Sequence, residues 1–136
     1  MKPLAVSMGD PAGIGLELAA RVWAERDADT PPFFFVGDAD ALERASARLG
    51  LVKPKLNVIT SADRLTVAPD QLTVRSVPLA MKETPGAPDP VNADATLAAI
   101  EMSVSAVRSG AASALVTMPT AMQTSSTGCS PAMVTG

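Results

Sequence analysis

The amino-acid sequence predicts an α/β fold built on a mostly parallel sheet. Short apolar runs, typical of strands buried on both faces, alternate along the chain with segments whose apolar residues recur at helical spacing. This alternation indicates strand–helix–strand units whose helices cover the sheet. No internal repeat or linker is visible, and 136 residues are enough for one domain with a core.

The first half of the chain contains two predicted strand–helix pairs. Residues 4–7 form the first buried strand, and a helix follows from Ile14 to about residue 26. Its apolar stripe consists of Ile14, Leu18 and Val22 together with Ala19 and Trp23. A second strand covers residues 33–36. Asp38 is placed at the N-cap of the second helix, and Gly50 fits the C′ position at its end.

The second half contains three further strands and one long helix. Residues 56–59 and 72–77 are shorter strand candidates. Residues 81–90 hold three prolines and a glycine, which neither a helix nor a central strand accepts, and therefore form a stiff loop. A helix begins at Asn92 and can end at Gly110, with an apolar stripe of Leu97, Ile100, Val104 and Val107. Residues 114–117 form the last buried strand.

Composition limits the classes of function. Hydrophobic residues make up 47% of the chain and charged residues 18%, which indicates a globular protein. The net charge of −3 argues against nucleic-acid binding, and no apolar run is long enough to span a membrane. The single Cys129 excludes an internal disulfide framework and fits a cytoplasmic protein.

The chain has no histidine and no tyrosine. It therefore cannot supply a histidine general base, a histidine metal ligand or a Ser-His dyad. A metal site built from this chain would need carboxylates, and no tight carboxylate cluster is visible. We accordingly assign no catalytic residue and no metal ligand to it.

The glycine-rich loop after the first strand is the leading candidate for a binding site. Its candidate ligand contacts are Gly9, Asp10, Gly13 and Gly15. Glycines let a ligand approach the backbone, and the following helix points its free amides and positive dipole end into the loop. The spacing is neither G-x-G-x-x-G nor the Walker pattern. A plain tight turn between strand and helix explains the glycines equally well.

Two later segments have weaker signals. Thr117 ends the last strand and puts a hydroxyl at the carboxyl edge of the sheet, where open α/β folds bind ligands. The alternative is that Thr117 is only the end of a strand that the following proline terminates. Residues 85–93 form either a rigid lip over a cleft or a surface crossing to the next helix. The crossing is favoured, because most such loops only connect elements.

The motifs at these positions resemble one known family. Residues 8–17 are similar to the N-terminal signature of 4-hydroxythreonine-4-phosphate dehydrogenase, the vitamin B6 biosynthesis enzyme. Residues 85–93 with 95–101 resemble its middle loop and helix, and residues 114–119 resemble its next strand. The three motifs occur in the family's order, so the resemblance extends over residues 3–119.

This resemblance implies an isocitrate/isopropylmalate-dehydrogenase-like α/β/α fold, a homodimer and a cytoplasmic location. It also implies oxidation and decarboxylation of a small phosphorylated substrate, 4-hydroxythreonine 4-phosphate, with NAD or NADP and a divalent metal. The domain organisation that we expect is a partial dehydrogenase domain at residues 1–119 and a divergent, irregular tail at residues 120–136.

The tail is where the chain departs from the family. The family's lysine after the Thr-x-Pro strand is replaced by Met122, and its later metal-binding histidines have no counterpart in this sequence. A frameshift in the gene would explain this tail. We therefore expect a truncated family member that is inactive alone. The alternatives are a non-catalytic α/β module that binds a phosphorylated ligand, and a chain that hardly folds by itself.

Overall fold

The computed structural model describes residues 2–61 and 65–118, which form a five-stranded, wholly parallel sheet in the order β3-β4-β2-β1-β5. The strands are β1 (Leu4–Ser7), β2 (Phe33–Gly37), β3 (Leu56–Ile59), β4 (Leu72–Ser76) and β5 (Ala114–Thr117). The helices are α1 (Gly15–Ala24), α2 (Ala39–Arg48) and α3 (Ala93–Ser109), the last preceded by a 3-10 turn at Pro90–Asn92. The predicted parallel α/β class is confirmed.

The helices cover both faces of the sheet. Trp23 of α1 meets Phe33 of β2 edge to face, with ring centroids 5.9 Å apart. The next residue, Phe34, lines a cavity together with Met102 of α3. Because successive residues of a strand point to opposite faces, α1 and α3 lie on opposite sides of the sheet. The helix α2 packs beside α1.

The predicted ends of α2 and α3 are confirmed. The Asp38 carboxylate accepts a hydrogen bond from the Ala41 amide at 2.9 Å, as an N-cap does, and its second oxygen accepts one from the Leu79 amide at 2.8 Å. Gly50 and Gly110 end α2 and α3 with φ of 69° and 85°, a conformation that glycine adopts without strain. Asp38 thus also ties α2 to the segment that follows β4.

The buried faces of α1 and α3 differ from the predicted stripes. On α1 the buried residues are Gly15, Leu16, Ala19, Ala20 and Trp23. Of the predicted stripe, Ala19 and Trp23 are buried, whereas Ile14, Leu18 and Val22 are 60%, 39% and 45% exposed. Residues 16, 19, 20 and 23 also have helical spacing, so two stripes were compatible with the sequence and the sheet contacts one of them.

The same difference occurs on α3. Its buried residues are Ala95, Thr96, Ala99 and Ser103, all of them small, whereas Leu97 is 57% exposed. Small side chains let the helix axis approach the sheet closely, while Ile100, Val104 and Val107 of the predicted stripe are half-buried and Val107 packs against the core. None of the helices within residues 2–61 and 65–118 combines the length and apolar character that a bilayer crossing requires.

Candidate functional site

The glycine-rich loop connects β1 to α1 at the carboxyl edge of the sheet. Gly9 has a φ of 70°, and the Asp10 carboxylate accepts a hydrogen bond from the Ala12 amide at 2.9 Å. The Gly13 amide donates to the Asp10 carbonyl at 3.0 Å. The Asp10 side chain and carbonyl therefore stabilise the turn through hydrogen bonds to the loop's own backbone amides.

The N-terminus of α1 opens into this loop. Ile14 occupies the N-cap and provides no side-chain cap, so within the described residues the first amides of α1 receive no capping side chain. Gly15 begins the helix in a tight space: a Cβ there would lie 2.7 Å from the Met8 carbonyl oxygen and 2.7 Å from Met118 Cβ. The glycine at position 15 is therefore required by close approach of the chain.

The proline-rich segment 81–90, which we call the second loop, packs against the first. The Gly86 amide donates to the Ala12 carbonyl at 2.8 Å. The Asn92 side-chain amide accepts from the Met81 amide and donates to the Met81 carbonyl, each at 3.0 Å. These contacts attach the segment to the first loop and to Asn92, while the choice between a lip over a cleft and a surface crossing stays a prediction.

A small polar cavity of about 50 Å³ lies where the two loops meet. Its polar lining residues are Asp10, Lys82, Glu83, Thr84, Asp89 and Asn92. Of the predicted ligand contacts, Asp10 lines this cavity, whereas Gly9, Gly13, Gly15 and Thr117 do not. The cavity has room for a few water molecules or a small anionic group.

Glu83 anchors the second loop, and its burial was not predicted from the sequence. Its side chain is completely buried in an ion cluster. Arg44 Nε donates to both carboxylate oxygens at 3.0 and 3.1 Å, Arg44 Nη2 lies 2.5 Å from Oε1, and Arg48 Nη1 lies 3.3 Å from Oε2. Arg48 also contacts Glu17 of α1 at 3.3 Å. The partners lie 35 and 39 residues apart in sequence, so no local pattern identifies them.

The protonation of this cluster follows from its contacts. Burial raises the pKa of Glu83, but hydrogen bonds from Arg44 and Arg48 oppose it and hold the pKa below its ordinary value. The hydrogen bond to Glu83 raises the pKa of Arg44. The Glu83 carboxylate and the Arg44 guanidinium are therefore charged at neutral pH.

Thr117 lies at the same sheet edge but away from the cavity. It pairs in register with Ser7, which in turn pairs with Val36 on the face that α3 covers. Ser7 is completely buried, and its hydroxyl has no hydrogen-bond partner among the residues described. Two hydroxyl-bearing residues therefore lie side by side at the carboxyl edge, on the face opposite α1.

A cavity of about 520 Å³ lies at the other end of the strands. The Arg26 guanidinium stacks 3.6 Å from the ring centroid of Trp23 and donates to the carbonyls of Trp23 and Pro69. The Arg26 guanidinium therefore already donates to carbonyl oxygens of the protein itself.

In residues 2–61 and 65–118, no group of three or more carboxylate, cysteine or histidine side chains could hold a metal ion. Met122, Cys129 and the predicted tail 120–136 lie outside the described residues.

Comparison with known families and proteins identifies relatives. The profile of the family described as "Pyridoxal phosphate biosynthetic protein PdxA" matches residues 29–130. A 4-hydroxythreonine-4-phosphate dehydrogenase of Methylorubrum extorquens is 46% identical over 123 residues, which are 88% of this chain and 35% of the relative. The dehydrogenase of Caulobacter vibrioides is 40% identical over 121 residues, again 88% and 35% of the two chains. The chain spans about a third of the length of these curated relatives.

Solved structures agree with this result. A 4-hydroxythreonine-4-phosphate dehydrogenase from Klebsiella pneumoniae superposes with a TM-score of 0.77 at 30% identity, over 88% of this chain and 38% of that one. The enzyme from Burkholderia phymatum gives the same TM-score at 26% identity, over 88% and 37% of the two chains. The isocitrate/isopropylmalate-dehydrogenase-like fold implied by the resemblance is therefore confirmed for the part of the chain that these structures cover.

Proposed function

Because the chain belongs to the PdxA family of pyridoxal phosphate biosynthetic proteins, we propose that it binds the phosphorylated substrate of a 4-hydroxythreonine-4-phosphate dehydrogenase. The relatives' name describes oxidation of a small phosphorylated molecule. A dehydrogenase family uses a nicotinamide cofactor in general, and we propose NAD or NADP as that cofactor. The chain covers about a third of those relatives, so the proposal extends to ligand binding and leaves the complete reaction to the full-length relatives.

The observation that carries the proposal is the start of α1. Its first amides receive no side-chain cap among the described residues and open into the glycine-rich loop at the carboxyl edge of a parallel sheet. Backbone amides and the positive end of a helix dipole favour an anionic group such as a phosphate. Gly9, Asp10, Gly13 and Gly15 are the proposed ligand contacts, with Thr117 as a further contact at the same edge.

The residues of this chain do not fit a divalent metal. The sequence has no histidine, and the described residues contain no cluster of three potential ligands. We therefore derive no step through a metal, and propose that this chain binds and orients a ligand without converting it. The homodimer and the cytoplasmic location of the family are proposed for this chain on the resemblance alone.

A non-catalytic module that binds phosphorylated ligands is the second candidate function. It uses the same loop, and it is favoured by the lack of a metal cluster in the part of the chain that the structure describes. The two candidates differ in the ligand, because a family member should prefer 4-hydroxythreonine 4-phosphate and a general module should accept any phosphate ester.

The experiment is a titration of isotopically labelled protein followed by amide NMR. We expect 4-hydroxythreonine 4-phosphate to shift the amides of Gly13, Gly15 and Leu16, while chloride at equal ionic strength does not. Glucose 6-phosphate serves as the comparison ester and distinguishes the two candidates. Absence of any shift beyond the chloride control would refute a phosphate site. Formation of NADH by the purified chain with substrate, NAD and a divalent metal would refute binding without turnover.

A further inference from the structure

Helix α1 has a second apolar stripe, formed by Ile14, Leu18 and Val22, which the sheet leaves 39–60% exposed. The opposite flank of α1 faces α2, where Glu17 contacts Arg48 at 3.3 Å. The start of α2 is in turn tied to the segment that follows β4. The exposed stripe of α1 therefore points in the other direction along the sheet, toward β5.

Helix α3 has a corresponding stripe on the opposite face of the sheet. Met102 and Ala106 line a cavity together with residues of β2, β3 and β4, so this flank of α3 faces away from β5. Helical geometry places an apolar stripe on the other flank, and its members are Leu97, Ile100, Val104 and Val107. Leu97 is 57% exposed and the other three are half-buried. This stripe therefore also points toward β5.

The strand β5 lies between the two stripes, at one edge of the sheet. It pairs with β1 on one side, and no strand within residues 2–61 and 65–118 pairs with its other side. Val116 of β5 is 39% exposed and is in register with Val6 and, through β1, with Phe35. Phe35 shares its face of β2 with Phe33, which contacts Trp23, so Val116 lies on the α1 face. Exposed apolar side chains thus surround an unpaired strand edge.

The two edges of the sheet differ in their protection against association. At the β3 edge, Lys53 and Lys55 directly precede the strand, and Asn57 lies within it. Charged side chains are one means by which proteins keep an edge strand from pairing with another chain. The sequence of β5 is Ala-Leu-Val-Thr, and the last charged residue of the chain, Arg108, lies before it. The β5 edge therefore lacks the charges that protect the β3 edge.

We propose that the β5 edge, together with the flanking stripes of α1 and α3, binds a second copy of this chain. A twofold axis perpendicular to the sheet places β5 antiparallel to β5 of the partner, and the two sheets become one continuous sheet. This axis keeps each helix on its own face. The α1 helices of the two copies therefore lie beside each other on one face, and the α3 helices on the other.

The occupant is a second copy because the surface is self-complementary. A twofold interface brings each group toward its own counterpart, so a charge near the axis would face a like charge. Neither β5 nor the two stripes contains a charged residue. Covering both stripes at once also requires a partner with a sheet and a helix on each face, which a second copy supplies. The inference follows from this surface alone and is independent of the proposed ligand binding.

The first measurement is the mass of the full chain by sedimentation equilibrium over a range of protein concentrations. We expect reversible association to twice the 13.9 kDa of one chain. Val116→Lys and Leu97→Lys each put a charge beside its own copy, from the α1 face and the α3 face respectively. Each should raise the dissociation constant of the dimer about tenfold or more. The matched control is Val58→Lys, since Val58 is a 50% exposed valine on the β3 edge, and it should leave the constant unchanged.

The second measurement locates the interface. In a mixture of isotopically labelled and unlabelled chains, we expect intermolecular nuclear Overhauser effects between the backbone protons of β5 and those of the partner's β5. Thermal unfolding of each lysine variant, followed by circular dichroism, should remain cooperative, because Val116 and Leu97 are both exposed in one copy. The loss of association then reports on the interface and not on the fold.

The outcomes decide between the possible occupants. A dimer that both lysine variants weaken, and that Val58→Lys does not, supports the inference. A chain that is monomeric at every concentration overturns it; shielding of the Leu18 and Leu97 methyl groups from a soluble paramagnetic probe would then identify the residues after Met118 as the occupant. A dimer that persists in both variants, or that shows no contact between the two β5 strands, overturns it as well. None of these measurements involves a ligand, so failure of the proposed function leaves them unchanged.

Discussion

Substitution of Gly15 by alanine tests the close approach that shapes the candidate site. An added Cβ would lie 2.7 Å from the Met8 carbonyl oxygen and 2.7 Å from Met118 Cβ, whereas ordinary contacts begin at 3.4 Å. The loop or the helix must therefore shift by about 0.7 Å. The Met8 contact is to backbone, which has no alternative rotamer to adopt.

The expected magnitude follows from two opposing effects. Overpacking of a closely packed position costs about 1–3 kcal/mol. Replacing glycine by alanine in a helix stabilises the folded state by about 0.5–1 kcal/mol. The free energy of unfolding should therefore fall by up to about 2.5 kcal/mol, with the upper part of this range favoured because the obstructing atom is a carbonyl oxygen.

Urea unfolding followed by circular dichroism measures this change. The midpoint should decrease while the slope of free energy against urea stays constant, since the surface exposed on unfolding is the same. Gly50→Ala is the control, because Gly50 has a φ of 69° and no atom within 4 Å of an added Cβ, so it reports backbone strain without a clash. A Gly15→Ala variant more stable than the wild type, as helix preference without a clash would produce, would refute the close approach of Met8 and Met118.

Three further predictions concern packing, capping and pH. Leu16→Ala should lower the free energy of unfolding by about 2–5 kcal/mol because Leu16 is fully buried, whereas Leu18→Ala should change it by at most about 1 kcal/mol. Equal urea midpoints for the two variants would show that the wrong face of α1 has been placed on the sheet. Asp38→Ala loses a helix cap and the bond to Leu79, and should cost about 1–2 kcal/mol by thermal unfolding; a loss below that of an exposed Asp40→Ala control would contradict the capping role. Because the folded-state pKa of Glu83 is held below its ordinary 4.5, the unfolded chain binds more protons in acid; the stabilisation is present above that pH and is lost as pH falls through the folded pKa. Denaturation midpoints measured from neutral to acidic pH should therefore fall further in the wild type than in Glu83→Gln, and parallel curves would contradict this assignment.

Local signals predicted the elements of the fold closely. The strand Leu4–Ser7 and the strand Ala114–Thr117 have the predicted bounds, because a short apolar run ended by a turn or a proline has few alternatives. Asp38 and Gly110 mark helix ends through their own side-chain and backbone chemistry. The helix at residues 14–26 is shorter in the structure, Gly15–Ala24, since terminal turns depend on contacts beyond the helix itself.

The candidate site was predicted only in part. The glycine-rich loop and its place at the carboxyl edge follow from the sequence, because parallel strands all end at the same edge. The attachment of the second loop does not follow. It depends on the Gly86–Ala12 hydrogen bond, which joins segments more than 70 residues apart.

By itself, the sequence of this protein determined the alternation of strands and helices, the glycine-rich turn and the family resemblance, because each depends on residues that are close together along the chain. The tertiary structure decided which stripe of α1 meets the sheet, and it brought Glu83 into contact with Arg44 and Arg48. Two helical stripes can have equally good spacing, and a charged side chain has the same local sequence signal whether solvated or buried. Only the packing of distant segments distinguishes these cases, because it determines which side chains are removed from water.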